Sequence, residues 1–148
     1  MENLTDLYRW LHDNGAILID RELHFSNPNT KATTIRLSET DTYGIFIDTT
    51  RIETVSEEKM IMLHESGHFA TGATHEVCSS FDLVSKHEYK ADKWAVQRLV
   101  TADELDDAVA EGHTELWDLA DYFSVTEDFM RKAVCWYTHG NLATELYF

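Results

Sequence analysis

The chain has 148 residues, long enough for one domain with a real hydrophobic core and too short for a dinucleotide-binding enzyme with a separate substrate domain. Twelve Lys and Arg stand against 27 Asp and Glu, and the resulting net charge of −15 repels phosphate backbones and anionic lipid surfaces while favouring a basic partner. A hydrophobic content of 43% excludes disorder. No apolar run approaches the ~20 residues of a membrane span. The acidic start, Met1-Glu2-Asn3-Leu4-Thr5-Asp6, lacks the basic residues of a signal peptide, so the expected location is cytoplasmic, with Cys78 and Cys135 reduced.

Leu4, Leu7, Tyr8 and Leu11 follow the spacing of one apolar helix face, and Asn14-Gly15 is its stop. Ala16 to Ile19 is a short apolar run, and Asn27-Pro28-Asn29-Thr30 is a turn. Lys31 to Leu37 alternates and is β-branched, Ser38 to Thr42 is turn-like, and Tyr43 to Asp48 is a second β-type run. Residues 16–48 therefore read as a small antiparallel sheet. Tyr43–Asp48 reads either as an edge strand beside a cleft or as an ordinary core strand. Thr54-Val55-Ser56-Glu57 matches a capping box, and an apolar helix follows, ended by Gly72. Residues 73–84 read as a loop. A helix is expected from about Ser85 to Val100, another from the capping box Thr101–Glu104 to Gly112, and two more near 114–123 and 127–139.

The chemistry concentrates in His64-Glu65-Ser66-Gly67-His68 on the central helix. At about 100° per residue, His64 and His68 lie roughly 40° apart and one turn along, so both imidazoles leave the same face. Glu65 lies about 100° round, poorly placed as a third ligand but placed to take a proton from a metal-bound water. The plain alternative is two histidines that happen to stand four apart; the helical, apolar context after a β-run favours zinc. A catalytic zinc typically has three protein ligands and one open position. A third ligand just downstream would need Gly and His where Thr71 and Thr74 stand, so that route is rejected. The other route is His87-Glu88-Tyr89-Lys90-Ala91-Asp92, which offers Glu88 as ligand and Asp92 as acceptor for the ring N–H of a ligand histidine. Ser85-Lys86-His87-Glu88 also reads as a capping box that would occupy Glu88 with its own backbone, and spacing does not choose between the two.

Tyr43 to Asp48, then His64 to His68, then Glu88 to Asp92 with Trp94 and Ala95, resembles the ImmA/IrrE family of bacterial and phage zinc metallopeptidases over roughly residues 40–100. The HExxH part is shared by many zinc peptidases; its combination with E-x-x-A-[DN]-x-[FW]-A is much more specific. The resemblance implies zinc held by His64, His68 and Glu88, with Glu65 as general base and Asp92 at the family's Asp/Asn position. Two features depart from the family pattern. Ser66 stands where a bulky apolar residue is usual, and Arg98-Leu99-Val100-Thr101 stands where many members have an apolar residue and a Pro. Neither touches a proposed ligand; the first bears on packing behind the motif.

The expected fold is α+β: a small antiparallel sheet packed on the HExxH helix, followed by a helical C-terminal half. Residues 1–148 read as one zinc-peptidase domain, with an N-terminal helix and sheet over 1–53, metal-site helices over 54–100 and a helical subregion over 101–148. Leu119 to Glu127 resembles a helix–turn–helix, but residues 101–148 carry only Arg131 and Lys132 against 11 acidic residues, which decides against DNA and leaves a packing unit, or one that docks a protein. Tyr89, His113, Tyr137 and His139 are chemically able to stabilise an oxyanion. His12, His24, His75 and Cys78 have only the ordinary structural reading.

The functional expectation is a regulatory zinc endopeptidase without direct nucleic-acid or membrane contact. The resemblance implies a transcriptional repressor as substrate, often encoded beside the peptidase in phages and integrative elements, and the negative charge suits a basic DNA-binding protein. The alternative is a non-enzymatic, metal-containing interaction module of phage or mobile-element origin.

Overall fold

The computed structural model describes residues 3–22, 29–37, 42–74 and 81–148. His24, His75, Cys78, the first half of the turn at Asn27–Thr30, most of the turn at Ser38–Thr42 and the centre of the 73–84 loop lie outside the described residues. The fold is α+β. Helix α1 (Leu4–Asp13) leads into strand β1 (Ile17–Asp20), then β2 (Ala32–Leu37) and β3 (Thr42–Ile47), and the helices α2 (Val55–Thr71), α3 (Phe81–Leu99), α4 (Ala102–Ala110), α5 (Leu116–Phe123) and α6 (Glu127–His139) follow. Among the described residues no helix is long and apolar enough to cross a membrane.

The sheet corrects the all-antiparallel expectation. Its order is β1-β3-β2: β2 pairs antiparallel with β3, and β1 pairs parallel with β3. Burial explains the order. Ile45 and Ile47 of β3 are wholly buried against Leu7 and Leu11 of α1 and Met62 and Leu63 of α2, so β3 takes the centre. Strand β1 precedes β2, runs opposite to it and adds to the far side of β3, where it can only be parallel. Tyr43–Asp48 is therefore the core strand, and β1 and β2 are the edges, β2 being the one that packs against α2.

The start of α2 carries half of the expected capping box. Thr54 accepts from the Glu57 amide, while the Glu57 carboxylate accepts from the amide of Glu53 and pairs with Lys31. Gly72 ends the helix at φ 64°, a left-handed conformation that suits glycine. The capping box at Thr101 and Glu104 is complete.

Helix α3 begins at Phe81, earlier than the Ser85 start expected. This settles the competing use of Glu88. With helix ahead of it, the amides a cap would serve already bond to the preceding turn, and the Glu88 side chain is available elsewhere.

Helices α2 and α3 touch backbone to backbone. A Cβ on Gly67 would lie 2.5 Å from the Ala91 carbonyl oxygen, so only glycine permits this crossing. One buried cluster runs from Leu7 to Ala133 and takes in Leu119 and Phe123 of α5 and Phe129, Met130 and Ala133 of α6. The buried Lys59 of α2 donates to the Phe123 carbonyl at the end of α5 (3.1 Å). The C-terminal helices are thus part of the support beneath α2 and α3.

Candidate metal centre

Crossing α2 over α3 at Gly67 and Ala91 brings Glu88 under the two histidines. Glu88 Oε2 lies 2.7 Å from His64 Nε2, Glu88 Oε1 lies 3.2 Å from His68 Nε2, and the two Nε2 atoms are 3.2 Å apart. Among the described residues this is the one cluster of three or more His, Cys, Asp or Glu able to hold a metal ion.

The opposite ring nitrogens are both committed as donors. His64 Nδ1 faces Asp92 Oδ1 at 2.7 Å, and His68 Nδ1 faces the Ala73 carbonyl at 2.7 Å. A carboxylate and a carbonyl only accept, so each Nδ1 carries the hydrogen. An imidazole that is neutral in this arrangement turns its Nε2 lone pair toward the other ring and toward the Glu88 carboxylate. Two imidazole nitrogens and a carboxylate meeting this closely favour a shared cation, a proton or a metal ion. Protons on both Nε2 atoms would crowd one another across 3.2 Å, so one shared proton or one metal ion suits the three groups better. A tetrahedral zinc with bonds of about 2.0–2.1 Å needs ligand separations of about 3.3 Å; the two 3.2 Å separations come close to this, the 2.7 Å one is shorter, and the donor set of two imidazoles and a carboxylate is one zinc accepts.

The electrostatics agree. Burial pushes the His64 imidazole down, but its hydrogen bonds to Asp92 and Glu88 outweigh burial and raise it to about 10. His68 is also raised, its own burial being outweighed by its bonds to Glu88 and to the Ala73 carbonyl. Hydrogen bonds from His64 and His68 hold Glu88 well below the usual carboxylate range. Asp92 is lowered too: burial works against this, but His64 and Lys132 outweigh it. The paired carboxylates favour a cation at the two histidines, a proton or a metal ion.

His64, Glu65, His68, Glu88 and Asp92 all line one cleft of about 570 Å3. Glu65 is buried at 8% exposure. Its Oε2 accepts from the Thr34 hydroxyl of β2 at 2.5 Å, and the same hydroxyl lies 3.2 Å from the Glu65 carbonyl. One wall of the cleft is the stretch Asn29–Thr34 leading into and along β2, and α6 contributes Phe129 and Lys132.

Of the residues singled out in the sequence, His64, His68, Glu88 and Asp92 come together in direct contact, and Glu65 borders the same space. The four oxyanion candidates do not line the cleft. The Tyr137 hydroxyl donates to the Val100 carbonyl, His113 pairs with Asp118, His139 stacks on Tyr147, and Tyr89 points outward from α3. Sequence reasoning missed Thr34, the Ala73 carbonyl and Lys132, whose Nζ donates to Asp92 Oδ2 at 2.9 Å. For Lys132 a signal existed: it is the single Lys in a strongly acidic segment. No family model, no curated protein and no solved structure matches the chain.

Proposed function

We propose that this chain is a zinc-dependent endopeptidase with a regulatory role. The observation that carries this reading is the meeting of His64 Nε2, His68 Nε2 and the Glu88 carboxylate at the wall of a cleft that Glu65 also borders. Held by these three groups, zinc would supply Lewis acidity, polarising a substrate carbonyl and making water nucleophilic near neutral pH. Glu65 is the base that takes the proton from the attacking water and hands it to the leaving amine. Thr34 fixes one oxygen of the Glu65 carboxylate and leaves the other for that exchange. Asp92 and the Ala73 carbonyl hold the two imidazoles in the tautomer that frees Nε2.

Edge strand β2 suits a peptide substrate. The Asp48 amide donates to the Lys31 carbonyl, and the register that follows turns the amides and carbonyls of Ala32 and Thr34 away from β3. Those groups can pair with an extended chain laid along the cleft. The resemblance to the ImmA/IrrE family and the charge of −15 favour a basic, DNA-binding repressor as that chain.

The test uses the zinc-loaded protein and a DNA-binding repressor encoded in its gene neighbourhood. The expected result is discrete cleavage, with Glu65→Gln binding zinc and cutting nothing. An intact repressor after long incubation, or undiminished cleavage by Glu65→Gln, overturns the reading.

A further inference from the structure

The carboxylate of Asp92 is held at both ends. Oδ1 takes the His64 Nδ1 hydrogen at 2.7 Å, and Oδ2 takes a hydrogen from Lys132 Nζ at 2.9 Å. The two partners come from different elements, His64 from α2 and Lys132 from α6, while Asp92 stands on α3 between them. Lys132 is 40 positions from Asp92, so the contact exists only because α6 packs on α3.

The placement is selective. Residues 101–148 hold two basic side chains, neighbours on α6. Arg131 serves its own helix, pairing with Asp128 at 2.6 Å and with Glu127 at 3.7 Å. Lys132 instead crosses to α3 and lines the cleft.

We infer that Lys132 is a positioning residue of the metal centre, acting through Asp92 to fix the ring plane of His64. This rests on the zinc reading of the site. A carboxylate held by one hydrogen bond can swing about its terminal torsion, and the imidazole swings with it. Held at both oxygens, it fixes the direction in which the His64 Nε2 lone pair points. Outer partners of this kind typically change metal affinity by ~10–100-fold when removed. The helical C-terminal subregion therefore reaches the metal by one named bond, and anything docking on α6 would act on the site through it.

The experiment measures zinc affinity of the full chain by competition with a chromophoric chelator, and thermal midpoints without metal, for wild type, Lys132→Met and Lys132→Arg. Lys132→Met is expected to bind zinc about tenfold more weakly, with a metal-free midpoint close to wild type because Lys132 is partly exposed. Lys132→Arg keeps a charged donor and is expected to stay within about threefold of wild type. Lys132→Met binding zinc as well as wild type overturns the inference and leaves the zinc reading standing. Equal weakening in both variants also overturns it, because the charged donor would then not be what acts. Wild type without zinc affinity overturns the site reading itself and this inference with it.

Discussion

Two His–Asp pairs in this molecule are built almost alike and face different surroundings. His64 Nδ1 meets Asp92 at 2.7 Å with side chains 26% and 24% exposed; His113 Nδ1 meets Asp118 at 2.8 Å with side chains 31% and 29% exposed. The difference is at the far nitrogen. His64 Nε2 points at Glu88 and His68, whereas the His113 ring rests against Tyr122, 4.7 Å between ring centres. A histidine oriented by a carboxylate is therefore not by itself a candidate metal site. What makes His64 a candidate is a second and third group converging on the nitrogen that orientation leaves free.

The convergence can be broken most directly at its third member. Glu88→Ala removes the carboxylate of the proposed ligand set and leaves two imidazoles. Its zinc affinity is expected to fall by more than the ~100-fold that marks loss of an outer partner, read by chelator competition. Affinity within tenfold of wild type would show that Glu88 is no ligand. Glu65→Gln, at the same cleft, is expected to leave that affinity unchanged while abolishing cleavage.

The next effect lies in the crossing that makes convergence possible. Gly67→Ala forces a Cβ to 2.5 Å from the Ala91 carbonyl oxygen and 2.8 Å from its Cα, both backbone atoms with no rotamer to yield. Separating α2 from α3 is expected to cost at least the ~1–3 kcal/mol typical of overpacking and to weaken zinc binding at the same time. Denaturant unfolding and chelator competition on one preparation would show both losses. A loss of stability with full zinc affinity would mean that the crossing does not position Glu88.

The contrast between the two pairs also separates what sequence could and could not reveal. Helical period alone puts His64 and His68 on one face and Glu88 and Asp92 on another. Which side chain completes the set depended on where α3 begins, and the four helical residues before Ser85 decide that by satisfying the amides Glu88 would otherwise cap. Strand pattern did not distinguish edge from centre, because Tyr43–Ile47 and Ala32–Leu37 are both β-branched or aromatic runs; burial of Ile45 and Ile47 made the first the core strand. Thr34 and Lys132 reach the site across 31 and 40 positions of chain, through sheet–helix and helix–helix packing that no local period encodes.

A smaller effect, of opposite sign, is expected inside the motif. The Ser66 hydroxyl is fully buried and has no hydrogen-bond partner among the described residues. A buried, unsatisfied polar group costs about 1–3 kcal/mol, and alanine is also the better helix former. Ser66→Ala is thus expected to stabilise the protein by about 1 kcal/mol without changing zinc affinity. Urea unfolding showing a loss instead would mean that the hydroxyl has a partner.

The smallest effect tests the comparison itself. His113→Gln removes the imidazole from Asp118 and from the face of Tyr122 but leaves both metal-site helices untouched. Partly exposed ion pairs contribute about 0.2–1 kcal/mol, so stability is expected to change by no more than that. Zinc affinity and cleavage are expected to match wild type, because no second histidine or carboxylate pairs with His113 among the described residues. If His113→Gln lowered zinc stoichiometry or slowed cleavage, orientation by a carboxylate would be enough to give a histidine a role here, and convergence at the far nitrogen would no longer distinguish His64 from it.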